Sequence, residues 1–185
     1  MEMTGERRIG AKRTKVWAAL NDVEVLRQCI PGCESLERQS DTDMLARAKL
    51  VIGPVKATFN GKVKLSELDP PNGYRITGEG SGGVAGFARG SALVRLAEEE
   101  SATLLRYEVK ADVGGRLAQL GGRLIDATAR KLAEQFFEKF TELVGPAPAS
   151  TPERGTAPGK KQGFFRRWLS RMPWFARRRK SPTSS

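Results

Sequence analysis

Few side chains of this sequence are suited to catalysis. Its 185 residues include no histidine and only two cysteines, Cys29 and Cys33. Without an imidazole, hydrolase triads and His-ligated metal sites are excluded, and no side chain has an unperturbed pKa near neutrality. A C-x-x-x-C pair offers too few ligands for a structural zinc and does not match the redox C-x-x-C motif. We expect two reduced, partly buried thiols.

Two further patterns resemble functional motifs only formally. Gly78-x-Gly80-x-x-Gly83 matches the dinucleotide fingerprint, but that fingerprint requires a helix directly after it, and a β-type segment follows here. These glycines instead favour bulges and bends in a curved sheet. The acidic residues 98–100 are consecutive, so their carboxylates cannot converge on one metal ion and are typical of a solvated hairpin tip.

An enzyme built on this sequence would have to use Tyr107, Arg106, Glu108 or Asp112. These residues lie in an alternating segment, and a period of two places all of them except Tyr107 on the solvated face of a strand. We therefore predict a protein that is not an enzyme and has no catalytic residues and no metal.

Alternation of apolar and polar residues predicts the strands that position these side chains. It is clearest over 55–65 and 105–113, recurs over 44–52 and is shorter over 92–96. Turn residues separate these segments, which indicates an antiparallel meander with one dry face.

Helical spacing appears before and after the strands. Two short helices come early, the second capped by Asp22 and stopped by Pro31-Gly32, and residues 116–144 carry one long amphipathic stripe. That stripe contains Leu117, Leu120, Leu124, Leu132, Phe136, Phe140 and Leu143. The order predicts an α+β fold, in which a curved antiparallel sheet of about six or seven strands grips the long C-terminal helix.

Glycines 114, 115, 121 and 122 fall at or inside the N-terminal half of that helix. They indicate either close packing or an early kink of the helix, or an apolar cavity between helix and sheet. For the cavity we predict a lining of Phe59, Val63, Val94, Tyr107, Leu117, Leu120, Gly121, Gly122, Leu124 and Phe136.

The positive charge is concentrated at the C-terminus. Residues 145–185 hold ten of the 32 basic residues and one of the 21 acidic ones, so the net charge of +11 belongs mainly to this tail. Composition predicts a folded domain over 1–144, a Pro/Gly-rich flexible linker over 145–163, a basic aromatic amphipathic segment over 164–180 and a disordered end over 181–185.

The segment 164–180 combines aromatic rings on one helical face with arginines on the other, as an interfacial membrane anchor requires. The predicted membrane-binding residues are Phe164, Phe165, Arg166, Arg167, Trp168, Leu169, Arg171, Trp174, Phe175, Arg177, Arg178 and Arg179. A nucleic-acid tail and a helix docking in an acidic protein groove are the competing interpretations. Because purely electrostatic nucleic-acid tails rarely need aromatics on one face, we predict no nucleic-acid partner.

Neither a signal peptide nor a stretch of about 18 apolar residues is visible in the sequence. We therefore expect a peripheral protein at the cytoplasmic face of the cell membrane, which contacts an anionic surface from the side.

Several motifs together resemble the G-subunit family of carbon monoxide dehydrogenase, a START-like (SRPBCC) helix-grip group. They are CIPGCE at 29–34, IGPVKATF at 52–59 with GKV at 61–63, GSGG at 80–83 with GFARG at 86–90, Tyr107, GGRLAQLG at 114–121 and Phe136-Phe137. The likeness covers residues 1–144, and the tail is matched only in kind.

The resemblance implies a START-like ligand-binding domain in an accessory protein of a molybdenum-containing carbon monoxide dehydrogenase or a related molybdenum hydroxylase. It implies a cavity suited to a quinone, such as menaquinone, as a carried and not covalently bound ligand, and coupling of the enzyme to the membrane quinone pool. A ligand-free structural tether is the alternative function, and a START-like enzyme is a further one.

Overall fold

Alternation of apolar and polar residues along the strands accounts for most of this fold. The computed structural model describes residues 1–145. Its elements are β1 (Glu2–Ile9), α1 (Arg13–Leu20), α2 (Val23–Cys29), β2 (Cys33–Arg38), β3 (Asp43–Ile52), β4 (Val55–Asp69), β5 (Gly73–Ser81), β6 (Phe87–Glu99), β7 (Ala102–Gly114) and α3 (Gly122–Val144). Short 3-10 turns lie at Gly83–Ala85 and Ala118–Leu120. The predicted α+β class, strand number and element order are confirmed.

All seven strands form one antiparallel sheet in the order β1-β7-β6-β5-β4-β3-β2. Its concave face and the three helices enclose the core, in which Ile9, Val16, Leu105 and Phe140 are at most 1% exposed. Asp22 caps α2 as predicted, because its Oδ1 accepts hydrogen bonds from the backbone N–H groups of the second and third residues of the helix.

The long helix begins later than predicted and presents a different stripe. Gly121 has a φ of +83°, outside the helical region, so α3 begins at Gly122 and residues 116–121 form a loop with a 3-10 turn. Leu124 and Leu143, predicted to face the sheet, are 37% and 39% exposed. The predicted stripe was right at Phe140, which is fully buried, and at Phe136, which lines the cavity described below. It was wrong at Leu124 and Leu143, and it included Leu117 and Leu120, which precede the helix. The buried helix residues are Ile125, Phe137, Phe140 and Val144.

The glycine-rich run 78–90 does not supply bulges, contrary to the prediction. Strands β5 and β6 pair in unbroken register from Gly73 opposite Arg95 to Ser81 opposite Phe87. Gly78, Gly80 and Gly90 therefore lie inside regular strands, and only residues 82–86 form the connection. By strand parity these three glycines face the concave side, together with Tyr74 and Ile76.

The C-terminal predictions fall almost entirely outside the described residues. Helix α3 ends at Val144, and residues 146–163 of the predicted linker, the amphipathic segment 164–180 and the end 181–185 are not described. Within residues 1–145, no helix is long and apolar enough to cross a membrane.

Candidate functional site

An apolar cavity of about 320 Å³ lies between the concave face of the sheet and the helices. None of its lining residues is charged, and the side chains of Tyr74 and Tyr107 carry the only hydroxyls. The lining consists of Met3, Leu20, Leu26, Ile30, Leu36, Met44, Ala46, Val63, Leu65, Tyr74, Ile76, Ala92, Val94, Leu105, Tyr107, Val109, Ala133, Phe136 and Phe137. Such a cavity selects ligands by shape and apolar surface.

One wall of the cavity is aromatic. The rings of Tyr107 and Phe137 stack with centroids 5.2 Å apart and an interplanar angle of 22°. Phe136 meets Phe137 edge-on at 5.2 Å. Tyr107 holds its position because its ring lies over Gly5 of the neighbouring strand, where any Cβ would collide with the phenol. Flat, fixed aromatic faces of this kind suit a planar ring.

A groove of about 350 Å³ adjoins the cavity, and the two share Val63, Ile76, Ala92 and Val109 as lining residues. Gly78, Gly80, Gly90, Ala88 and Ala111 form much of the remaining lining, and we call these five residues the glycine floor. Their small size leaves this part of the concave face without side chains that would fill the groove.

The backbone does not require glycine at two positions of the glycine floor. A Cβ built at Gly78 or Gly80 would find its nearest neighbours at 3.7 and 3.8 Å, which is ordinary contact, and neither residue has a positive φ. A glycine inside a strand costs stability relative to alanine. The glycines are therefore explained by the space they leave and not by local geometry.

The ten residues predicted from the sequence to line a cavity fall into three groups. Val63, Val94, Tyr107 and Phe136 line the 320 Å³ cavity. Phe59, Leu117 and Leu120 belong to a second apolar cluster with Ala85. Gly121, Gly122 and Leu124 are exposed at the start of α3, and a Cβ at either glycine would meet nothing within 4 Å. The volume left by missing side chains is thus at the sheet and not at the helix.

Asp126 carries a buried polar atom that the sequence reasoning missed, although the residue lines neither the cavity nor the groove. It lies on α3 seven residues before Ala133, so a helical period places both residues on one face, about 10 Å apart along the axis. Its Oδ1 is buried and has no hydrogen-bond partner within residues 1–145. A buried, unpaired polar atom is uncommon and requires an explanation. The sequence contained one indication of this group, because helical spacing places the acidic residue on the same face as Phe137.

Burial raises the pKa of several groups around the site. Desolvation raises the pKa of the Tyr74 phenol well above its usual range, and the ring packs edge-on against Trp17 at 5.3 Å. Desolvation also raises the pKa of the Cys29 thiol, against a smaller opposing effect of the Lys139 charge. Both cysteines are free thiols, and the pKa of Cys33 is raised in the same way. The cavity lining itself therefore carries no charge near pH 7, while the Arg7 guanidinium carbon lies 5.8 Å from the Phe137 ring centroid.

The other candidate chemistry lies on the solvated face. Arg106 pairs with Glu6 at 3.3 Å, and Asp112 pairs with Arg89 at 3.7 Å, all four being well exposed. Surface pairs of this kind contribute little to stability. No three Cys, Asp or Glu side chains in residues 1–145 are grouped as a metal site requires.

Comparison with known proteins identifies the fold and the family. A conserved protein from Geobacillus kaustophilus is 28% identical, with 78% of this chain and 95% of that chain covered and a TM-score of 0.74. TTHA0849 from Thermus thermophilus is 20% identical over 78% of this chain and 97% of that chain, with a TM-score of 0.59. The Zhui aromatase/cyclase from Streptomyces sp. R1128 is 12% identical over 78% and 93%, with a TM-score of 0.55, and shows the fold alone. No match is found among curated proteins.

The expected START-like helix-grip fold is confirmed by these neighbours. Residues 5–145 match the family described as the carbon monoxide dehydrogenase G subunit (CoxG). Because this match spans most of the sequence, the chain belongs to the CoxG family, and its membership implies an accessory role for carbon monoxide dehydrogenase.

Proposed function

We propose that this protein carries a respiratory quinone, menaquinone in the first instance, for a molybdenum-containing enzyme of the carbon monoxide dehydrogenase type. In this role it binds the quinone in its cavity, performs no catalysis itself and couples the enzyme to the membrane quinone pool. The supporting observation is the 320 Å³ cavity without a charged lining residue. A strongly apolar quinone is excluded from water, so a soluble enzyme needs a protein that shelters it.

The cavity volume matches a bicyclic headgroup. An apolar protein cavity of about 150 Å³ binds benzene, and the cavity here has about twice that volume. A naphthoquinone ring could stack on the aromatic wall formed by Tyr107 and Phe137. A phenol in that wall also offers a hydrogen bond to a quinone oxygen.

The adjoining groove supplies space for the start of an isoprenoid tail. It is continuous with the cavity through the four shared lining residues. Each sheltered CH₂ group contributes about 0.8 kcal/mol of transfer free energy. A few isoprenoid units over the glycine floor would therefore stay out of water while the quinone is away from the bilayer, which offsets the apolar environment that the tail leaves.

Asp126 is suited to the polar end of a reduced ligand. A carboxylate accepts hydrogen bonds, and the hydroxyl groups of a quinol are donors. Its buried Oδ1 lacks any partner within residues 1–145. Because Asp126 lies about 10 Å along α3 from the lining residue Ala133, a ligand hydroxyl would satisfy this atom only where the ligand extends beyond the cavity toward the start of α3.

The tail is the part of the chain that would attach the protein to the membrane. The amphipathic segment 164–180, with its rings and arginines, would hold the protein at an anionic membrane surface on the cytoplasmic side. To test this part, the full chain and a truncation after Gly145 are sedimented with anionic vesicles. We expect the full chain to bind more strongly, and equal sedimentation would contradict the anchor.

Quinone binding is tested on the full chain in detergent, without vesicles. The protein is incubated with a short-tail menaquinone, separated from micelles and extracted, and the quinone is quantified against protein. We expect close to one quinone per chain. A ratio no higher than that of an unrelated protein of equal size would refute the carrier function and leave a ligand-free recruitment role.

A further inference from the structure

We propose that the folded domain has its own membrane-binding surface, separate from the tail, at the end of the sheet where three connections meet. These connections are the β3–β4 turn at 53–54, the β5–β6 connection at 82–86 and the β7–α3 connection at 115–121, and together we call them the loop end. Its partner is an anionic lipid surface. This inference goes beyond the proposed function, because it concerns residues outside the tail and does not require a bound quinone.

The loop end is one continuous surface. The backbone N–H of Leu117 donates a hydrogen bond to the carbonyl oxygen of Ala85 at 3.0 Å, which joins the second and third connections. The Leu124 side chain lies against Gly53, which joins the start of α3 to the first connection. Beneath them, Phe59, Ala85 and Leu117 form the buried second apolar cluster. The connections are therefore supported from inside and present fixed tips.

Large apolar side chains project from this end. Val84 is 87% exposed, Val51 62%, Phe87 47% and Leu124 37%. They are four of the seven large apolar side chains that are exposed in residues 1–145. They lie at one end of the sheet on four separate elements, β3, the β5–β6 connection, β6 and α3, so each is available for insertion as a single side chain.

The charge of the loop end has one sign. The residues flanking these connections, 49–60, 80–88 and 113–125, contain Lys49, Lys56, Arg116 and Arg123 but no Asp or Glu. Glu79, Asp112 and Asp126 lie just outside these stretches, and Asp112 pairs with Arg89. Lys49, Lys56, Arg116 and Arg123 are exposed and form no ion pair within residues 1–145. The domain as a whole is nearly neutral, so its acids are concentrated elsewhere.

The opposite end of the sheet shows the contrast. There Arg8 pairs with Glu99 at 3.1 Å, Arg13 with Glu98 at 3.4 Å and Arg75 with Glu67 at 2.7 Å. Its cations are neutralised by local carboxylates, so it has little attraction for an anionic surface. The domain is thus electrically polarised along the strands.

A lipid surface fits this pattern better than an acidic protein. Single apolar side chains on separate tips can enter the headgroup region while the surrounding cations contact anionic lipids. A protein interface instead needs a packed apolar core with shape complementarity. The position is also appropriate for ligand entry, because Gly80 and Ala88 of the glycine floor form the strand pair next to the last one, Ser81 and Phe87, before the β5–β6 connection.

The test compares two double variants of the full chain, both keeping the tail. Val51→Glu/Val84→Glu alters the loop end, and Leu45→Glu/Leu68→Glu introduces the same charges at exposed apolar residues away from it, 39% and 45% exposed. Binding is measured by sedimentation with quinone-free vesicles of phosphatidylcholine containing about one third phosphatidylglycerol. At about 1 kcal/mol for each charge placed near an anionic surface, we expect the loop-end variant to bind about thirtyfold more weakly, and the control to stay within about twofold of the wild type.

Hydrogen exchange of the wild-type chain locates the contact. We expect residues 82–87 and 115–121 to exchange more slowly when the same vesicles are added. Binding of the loop-end variant within twofold of the wild type, or an equal loss in the control, would overturn the proposal. So would protection of these segments by the dehydrogenase and not by vesicles. Because the vesicles contain no quinone, these outcomes are independent of the quinone-binding test.

Discussion

Ala92→Leu should stabilise the unliganded protein and at the same time weaken quinone binding. Ala92 lies in β6 opposite Ile76 and Val109 and lines both the cavity and the groove. A larger side chain at this position therefore projects into empty apolar space. Most substitutions that damage a binding site also destabilise the fold. A higher Tm together with weaker quinone binding would therefore be specific to a substitution that fills a cavity.

The magnitude follows from the volume. Leucine adds three carbons, about 80 Å³ if each occupies slightly less than the volume of a liquid water molecule, or about a quarter of the 320 Å³ cavity. Filling empty volume contributes about 24 cal/mol per Å³, or about 2 kcal/mol. Ordering the leucine side chain costs about 0.5–1 kcal/mol. The net gain of about 1 kcal/mol corresponds to a rise in Tm of about 3 °C for a domain of this size.

The assay combines thermal unfolding of quinone-free protein with the extraction measurement of bound menaquinone. The matched control is Ala127→Leu, which adds the same atoms to an exposed position of α3. We expect the control to bind quinone as the wild type does. A fall in Tm for Ala92→Leu would show that the space is already filled, and unchanged binding would show that the ligand does not occupy it. Either result refutes the reasoning.

Three other changes have defined outcomes. Asp126→Leu removes a buried carboxylate oxygen that has no hydrogen-bond partner within residues 1–145. The Tm of the quinone-free protein should therefore rise by about 3–10 °C, while affinity for the quinol falls. A drop in Tm would show that this oxygen already has a hydrogen-bond partner. Thr103→Val should lower the free energy of unfolding in urea by about 1–3 kcal/mol, because the buried hydroxyl donates to the Ala11 carbonyl oxygen at 2.7 Å; a cost near zero would contradict this. Because burial raises the pKa of Cys29, the unfolded thiol ionises first, so the free energy of unfolding should decrease as pH rises above the ordinary thiol range near 8.5. Urea titrations of the wild type and of Cys29→Ala at pH 7 and 9.5 test this. The free energy of unfolding should decrease less between the two pH values in Cys29→Ala than in the wild type, and an identical decrease would exclude the thiol as its cause.

The strands were predictable because the polarity of each residue indicates which face of the sheet its side chain is on. In β4, Phe59 and Leu65 are buried while Asn60 and Lys64 are exposed, as the alternation requires. The cap at Asp22 was equally local, since one side chain and two neighbouring N–H groups determine it. Features fixed by a few consecutive residues are therefore recovered well from the sequence.

The cavity was harder to place because it depends on which strand or helix a glycine joins. Gly121 was assigned to the helix interior, whereas its φ of +83° places it before the helix and makes Gly122 the first helical residue. Gly78 and Gly80 were predicted to supply bulges and bends, yet they lie in a regular strand, share parity with Ile76 and face the ligand side. Cross-strand register decides this, and no local pattern encodes register between β4, β5 and β6.

The pairing of the first strand with the last has a consequence for folding kinetics. Within residues 1–145, strand β1 has β7 as its single partner strand, with Glu2 opposite Lys110, and the N-terminal ammonium donates to the Ala111 carbonyl oxygen at 2.7 Å. During synthesis at about 5–20 residues per second, β1 must therefore wait several seconds or more for its partner. Until then Ile9 and Val16, both fully buried in the native state, remain accessible to chaperones. High contact order of this kind predicts slow folding, with closure of the β1–β7 edge among the last steps.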